Sequence, residues 1–248
     1  MHNIMTWSLI AREPDGRWGV AIASRFFAVG ALCVHTRAGV GALCTQALMN
    51  PLYGHQGLEA LSQGLSAQAV VDQLTMADAG AAQRQVHVWG VDGPGAVHTG
   101  AQCVSWCGHE VRQDFSVAGN MLAGPDVIQV TAWAFEASLG QPLAQRLILA
   151  MAAGEAAGGD KRGKQSAAVR IQGAQDYPEL DLRVDDHAEP LQELQRLYDV
   201  SLQRFQPFVS CLATREHPHG ELDRHRIEAR IEAFHRERAV SVAGTPYP

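Results

Sequence analysis

The sequence predicts an α+β fold with two mostly antiparallel sheets at its centre and helices on their outer faces. Three observations carry this. β-Prone runs near the start follow one another too closely for crossover helices between them. Two pairs of amphipathic helical segments interrupt the strands. The hydrophobic share, 46% of 248 residues, suffices for a sizeable core.

The elements follow in order. Thr6 to Ala11 alternates Trp7, Leu9 and Ala11 against Thr6, Ser8 and Ile10, as a strand does. Glu13 to Arg17, "EPDGR", is a turn, with Pro presetting φ and Gly admitting positive φ. Trp18 to Ser24 returns as a second strand with small residues on one face, suited to close packing between two sheets. Ala31 to Gln46 reads as two further strands around Arg37 to Gly39. From Tyr53 to Asp78 the apolar period becomes helical, through Leu58, Leu61 and Leu65, then Val70, Val71 and Leu74. Ser66 is placed to cap the second of these helices. Arg84 to Val91 and Ala96 to Gly100 form a hairpin around "DGPG", and "FSVAGNML" is a strand running into a loop.

Two helices follow, Pro125 to Ser138 and Pro142 to Ala153, each opened by proline. The glycine loop "GEAAGGDKRGKQ" leads into strands "SAAVRIQ" and "LDLRVDD", then a helix over Ala188 to Arg204. Residues 1–206 are expected as one domain. Residues 207–248, charged and with Ile227, Ile231 and Phe234 at helical spacing, are expected as a helical appendage that docks on a partner chain, making a homodimer or higher oligomer.

Net charge of −6 and a pI near 6.0 give no reason to expect nucleic acid or an anionic membrane as partner. No apolar run is long enough to span a bilayer, and no basic region followed by an apolar stretch reads as a secretory signal. Five unevenly spread cysteines do not form a disulfide framework. A cytoplasmic protein without cofactor fits these features.

Both lysines of the chain, Lys161 and Lys164, lie in the glycine loop. Gly158, Gly163 and Lys164 approximate a phosphate loop, but Gln165 replaces the hydroxyl that would hold Mg²⁺. The loop also follows a helix and opens a strand, the reverse of what phosphate binding needs. The loop instead displays Asp160, Lys161 and Arg162, with Gln165 and Ser166 behind them. It is either a solvated turn or a frame holding a carboxylate or amide. Cys103, Cys107 and His109, with His98 upstream, offer zinc-type ligands, but no second knuckle accompanies them. Buried small hydrophobes are the plainer account, and no metal is expected. Cys44 has no base at a recognisable spacing. His217, His219, His225 and His235 read as a solvated face, and Asp185 and Asp186 as a cap for the next helix. No G-x-S-x-G elbow is present.

Thr6 follows Met5. If Met5 were a start and were removed, Thr6 would carry a free α-amine with a pKa of about 7.7–8.0, able to deprotonate its own hydroxyl. With Met1 to Ile4 attached, that nitrogen is an amide and the mechanism fails. Thr6 is otherwise an ordinary strand hydroxyl.

Taken together, "TWSLIAR", "GVAIASRFFAVGAL", "RAGVGALCTQAL", "RQVHVW", "HTGAQC", "AGNMLAG", "AGGDKRGKQSAA" and "LRVDDH" resemble the bacterial family of unknown function DUF1028, over residues 6 to 206. The resemblance implies an Ntn-hydrolase-like fold, a four-layer αββα sandwich, and no settled activity. By analogy with proteasome-type enzymes of that fold, Thr6 would be the nucleophile. Those enzymes end their second strand in Asp-Ser-Arg; here Ala23 stands at the Asp position, followed by Ser24 and Arg25. Their lysine has no counterpart near the third strand, where His35 and Arg37 are the nearest cations.

The expectation is therefore an amidohydrolase acting on a small amide or peptide-like bond. Thr6, Ser24 and Lys161 would be catalytic. Arg25, Asp160, Arg162, Gln165 and Ser166 would bind an amide or carboxylate ligand, and Gln46 or Asn120 would donate to an oxyanion. The alternative is a non-catalytic ligand-binding or assembly protein on the same fold.

Overall fold

The computed structural model describes residues 6–243, with side chains to residue 239. The expectation about a leader, Met1 to Ile4 with Met5, lies outside the described residues. The strands are β1 (Thr6–Arg12), β2 (Trp18–Ser24), β3 (Val34–Arg37), β4 (Gly41–Ala47), β5 (Arg84–Gly90), β6 (Ala96–Thr99), β7 (Gly108–Val111), β8 (Phe115–Asn120), β9 (Ser166–Gln172) and β10 (Leu180–Val184). The helices are α1 (Val29–Cys33), α2 (Leu52–Ser62), α3 (Ala67–Met76), α4 (Asp126–Ala137), α5 (Leu143–Ala156), α6 (Pro190–Gln203), α7 (Phe205–Val209) and α8 (Arg224–Ala243).

The strands form a six-stranded sheet, β10-β9-β2-β1-β8-β7, and a four-stranded sheet, β3-β4-β5-β6. Neighbouring strands in both are antiparallel. The β1–β2 hairpin closes where expected: Gly16 takes φ 86°, and the Asp15 carboxylate accepts the Arg17 N–H at 3.1 Å. Ser66 caps α3, its hydroxyl accepting the Ala69 N–H at 3.2 Å.

Packing follows the two-residue period of the strands. Val86 and Val88 of β5 and Leu43 of β4 face α2 and α3, in a core with Tyr53, Leu58, Leu61, Val70 and Leu74. Between the sheets, Ile10, Trp18, Val20 and Ile22 meet Ala42, Cys44 and Trp89. On the far side of the larger sheet, α5 packs on β2 and β9, and α4 on β7 and β8.

The small face of β2 does not serve sheet-to-sheet packing, as its composition suggested. A Cβ on Gly19 would lie 2.9 Å from side-chain carbons of Leu143 and Leu147, so this face lets helix α5 approach. The large residues of β2 fill the space between the sheets instead.

By packing, the chain divides into two compact units, Met1–Arg196 and Leu197–Pro248. The boundary falls inside α6, upstream of the 206/207 division expected from composition. Within the second unit α7 packs on α8, Ile231 and Cys211 are buried, and Arg204 pairs with Glu228. Among the described residues no helix is long and apolar enough to cross a membrane.

Candidate active site

β1 starts, and β2 and β8 end, at the same end of the larger sheet. Thr6 pairs with Asn120 in register, and its hydroxyl donates to Ser24 Oγ at 3.2 Å. β4 ends and β5 starts beside them. Gln46 Nε2 donates to the Ala118 carbonyl at 3.1 Å, and Gln85 Nε2 to the Gly119 carbonyl at 3.0 Å. Three non-glycine residues with left-handed backbone lie at or just beyond these strand ends: Ala28 (φ 52°), Ala47 (φ 65°), the last residue of β4, and Met121 (φ 53°). Such conformations cost on the order of 1–3 kcal/mol each and gather at functional sites.

The hydrogen bonds separate the two expected oxyanion donors. Gln46 spends both N–H groups, on Ala118 and on Gln85 Oε1 at 2.8 Å. A carboxamide has no third N–H, so Gln46 is not available to substrate. Asn120 gives one N–H to Gln85 Oε1 at 3.1 Å and the other, at a long 3.4 Å, to the carbonyl of Thr6. That weaker bond can be redirected, and it sits on the candidate nucleophile itself.

Thr6 is fully buried, as are Ser24, Gln46 and Asn120. Next to them runs a polar seam that the sequence reading missed. Ser8 Oγ donates to Gln46 Oε1 at 2.6 Å, so at its 2.9 Å contact with His87 Nε2 the ring N–H is the donor. Nδ1 is then the acceptor, met by Ser116 Oγ at 2.8 Å, which itself accepts from Trp89 Nε1 at 2.8 Å. Ser8, His87 and Ser116 thus have the spacing of a nucleophile, base and orienter but the opposite proton direction. Burial, with a smaller contribution from His109, lowers the His87 pKa to about 3, so the ring is a neutral structural link.

The glycine loop binds to this end at several points. The Asp160 side chain is 1% exposed; it accepts the Arg25 N–H at 2.9 Å and the Arg162 N–H at 2.8 Å, and pairs with the Arg162 guanidinium at 3.0 Å. Gln165 N–H donates to the Ser24 carbonyl at 3.1 Å, and its side chain to Asp186 at 3.1 Å. Ser166, fully buried, pairs with Ser24 in register, donates to the Phe26 carbonyl and accepts the Val29 N–H. Asp160, Gln165 and Ser166 therefore clamp the loop to the end of β2 rather than standing open to a ligand.

Lys161 is exposed and donates to the Ser105 carbonyl at 2.7 Å, with no bond to Thr6 among the described residues. Its expected catalytic role as a partner of Thr6 has no contact behind it here. Lys164, considered from sequence only as part of the rejected phosphate-loop pattern, pairs with Glu155 and Glu189, and hydrogen bonding to them raises its pKa. It lines a cavity of about 120 Å³ with Trp7, Ser24, Glu155 and Asp160. Arg37 pairs with Glu59 at 3.1 Å beside Gly41, at the start of β4. The His35 ring lies against Gly54. Burial lowers the His35 pKa, so it is not a cation at neutral pH, and neither residue has a contact with Thr6 among the described residues. The carboxylate at the end of β2 comes from Asp160 on the glycine loop, since Ala23 supplies none.

Other candidates recede. Burial pushes the Cys44 thiol up to about 12 and Cys103 to about 11, far from a reactive thiolate. Among the described residues no group of three or more His, Cys, Asp or Glu is placed to hold a metal ion. A larger depression of about 530 Å³ lies at the other end of β1, but its charges pair with one another, Arg12 with Asp114 and Arg146 with Glu13. Its lining offers no hydroxyl, thiol or amine nucleophile.

A family model described as a family of unknown function, DUF1028, matches residues 6–194. The chain belongs to the DUF1028 family. Among solved structures, this DUF1028 chain is similar to protein SPO2555 from Silicibacter pomeroyi, also a DUF1028 protein. The two are 26% identical with a TM-score of 0.82, over 88% of this chain and 96% of that one. Anbu (ancestral beta-subunit) from Yersinia bercovieri aligns over 79% of this chain and 94% of its own, at 11% identity and a TM-score of 0.37, too low to support an argument. No curated protein matches the DUF1028 chain.

Proposed function

We propose that this DUF1028 protein is an Ntn-type amidohydrolase on a four-layer αββα sandwich, cleaving a small amide. The observation that carries the reading is the position of Thr6. It opens β1 at the end where the strand ends converge, with its hydroxyl 3.2 Å from Ser24.

The active form would begin at Thr6. The free α-amine takes the proton from the Thr6 hydroxyl as Oγ1 attacks the amide carbon, and hands it to the leaving nitrogen as the C–N bond breaks. Water then hydrolyses the Thr6 ester, returning the acid and the free hydroxyl. Ser24 orients Oγ1. Asn120 turns its long N–H bond from the Thr6 carbonyl to the oxyanion. Arg25 and Lys161, with Arg162 held by Asp160, attract a carboxylate on the substrate.

The test is the intact mass of protein recovered from cells, set against amide hydrolysis in the same fractions. Activity confined to a species starting at Thr6 supports the reading; activity in a species that keeps Met5 contradicts it. Complete burial of Thr6 and the lack of an acid at Ala23 favour one rival, a ligand-binding protein that uses the same end without catalysis.

A further inference from the structure

The same end of the sandwich carries a second chemistry that the catalytic reading leaves unused. Phe27, three residues past the end of β2, is 61% exposed, and Leu48, directly after β4, is 51% exposed. They stand on opposite sheets, whose backbones in such packings lie about 10 Å apart. Val104, 38% exposed, lies at the end of β8, its carbonyl accepting the Met121 N–H. Three separate connections thus present large apolar side chains around the strand ends that hold Thr6 and Asn120.

Charge is concentrated there too. Among the described residues the side chains of Arg25 and Lys161 have no carboxylate partner. The Arg162–Asp160 pair between them is neutral. Arg25 and Lys161 are thus two cations without a carboxylate beside an apolar rim, while farther along the same loop Lys164 is matched by Glu155 and Glu189, and Asp186 meets Gln165. A wholly polar ligand leaves the rim in water, and a wholly apolar one leaves the cations unmatched.

We infer that the ligand of this end is an amphiphilic amide, carrying a carboxylate for Arg25 and Lys161 and an apolar acyl group for Phe27, Leu48 and Val104. This rests on the reading of the Thr6 end as the amide site, but not on Thr6 reacting.

The experiment is calorimetric titration of the full chain with N-octanoylglycine, N-acetylglycine and octanamide. The first has amide, carboxylate and chain; each of the others lacks one part. N-octanoylglycine is expected to bind at least about tenfold more tightly than either, since a few buried methylenes or one matched charge each give that much. Arg25→Gln should lower its affinity toward that of octanamide, and Phe27→Ser with Leu48→Ser toward that of N-acetylglycine. All three sites are exposed, so folding should survive. Equal affinity for the three compounds, no binding of N-octanoylglycine, or affinity unchanged in the variants overturns the inference. Binding of N-octanoylglycine without cleavage by protein starting at Thr6 removes the catalytic reading and leaves this one. Cleavage of short polar amides alone does the reverse.

Discussion

The Thr6 hydroxyl donates to the hydroxyl of Ser24 at 3.2 Å, both fully buried, across the first two strands of the larger sheet. A threonine oxygen already giving its proton to a neighbour is oriented but not activated, because serine is no base at neutral pH. Activation has to come from elsewhere, and the α-amine is the group that can reach it. Ser24→Ala in protein starting at Thr6 should therefore slow acylation by about tenfold to a hundredfold through lost orientation, without abolishing it. Thr6→Ala should abolish it. Pre-steady-state acylation rates separate the two.

Asp160 holds the glycine loop to the strand end that carries Ser24. Replacing this buried carboxylate leaves the Arg25 and Arg162 N–H groups without this acceptor and removes its ion pair with the Arg162 guanidinium. Asp160→Ala should cost about 1–3 kcal/mol, the range for hydrogen-bonding groups left without their buried partner. Urea denaturation measures it, and a loss below about 1 kcal/mol would show that the loop does not depend on Asp160.

His87 makes stability depend on pH in a definite direction. Its pKa falls from 6.5 to about 3 on folding, chiefly through burial. Above 6.5 both folded and unfolded forms are neutral and the stability is whole. Between 6.5 and 3 the unfolded chain binds the proton and the folded one does not, so stability drops by about 1.4 kcal/mol per pH unit from this group. His87→Gln should flatten that part of the curve, measured as the denaturation midpoint from pH 7 to pH 4, while lowering stability at pH 7.

Gly154 is a close-approach point between α4 and α5. A Cβ there would lie 2.1 Å from Thr131 Oγ1 and 3.1 Å from Trp7 Nε1. Gly154→Ala should destabilise by about 1–3 kcal/mol through overpacking, despite alanine's better helix propensity. A thermal melt decides the sign.

Much of this was legible in the sequence. The β1–β2 hairpin, the Ser66 cap and the Val86–Val88 face follow from turn chemistry and two-residue alternation. The residues that were not legible have physical reasons. Alternation shows that Gln85, His87 and Trp89 share a face, but not that a second sheet covers it. The polar seam through Ser8, Gln46 and Ser116 was therefore invisible. α1 is five residues long, too short to show a helical period, and its last three residues, Ala31 to Cys33, read as the start of a strand. β7 is a four-residue edge strand, "GHEV", without an apolar run. The glycine loop drew notice for its charges, but its role in clamping β2 depends on contacts across more than a hundred residues of chain, such as Arg25 with Asp160.

The central claim is that Thr6 is a nucleophile once its amine is free. The direct measurement is treatment of protein starting at Thr6 with an amine-compatible β-lactone, with the adduct located by peptide mass spectrometry. The account predicts one acyl group on Thr6, lost in Thr6→Ala and strongly reduced when Met5 is retained. An unmodified Thr6, or label only on the cysteines, would contradict it.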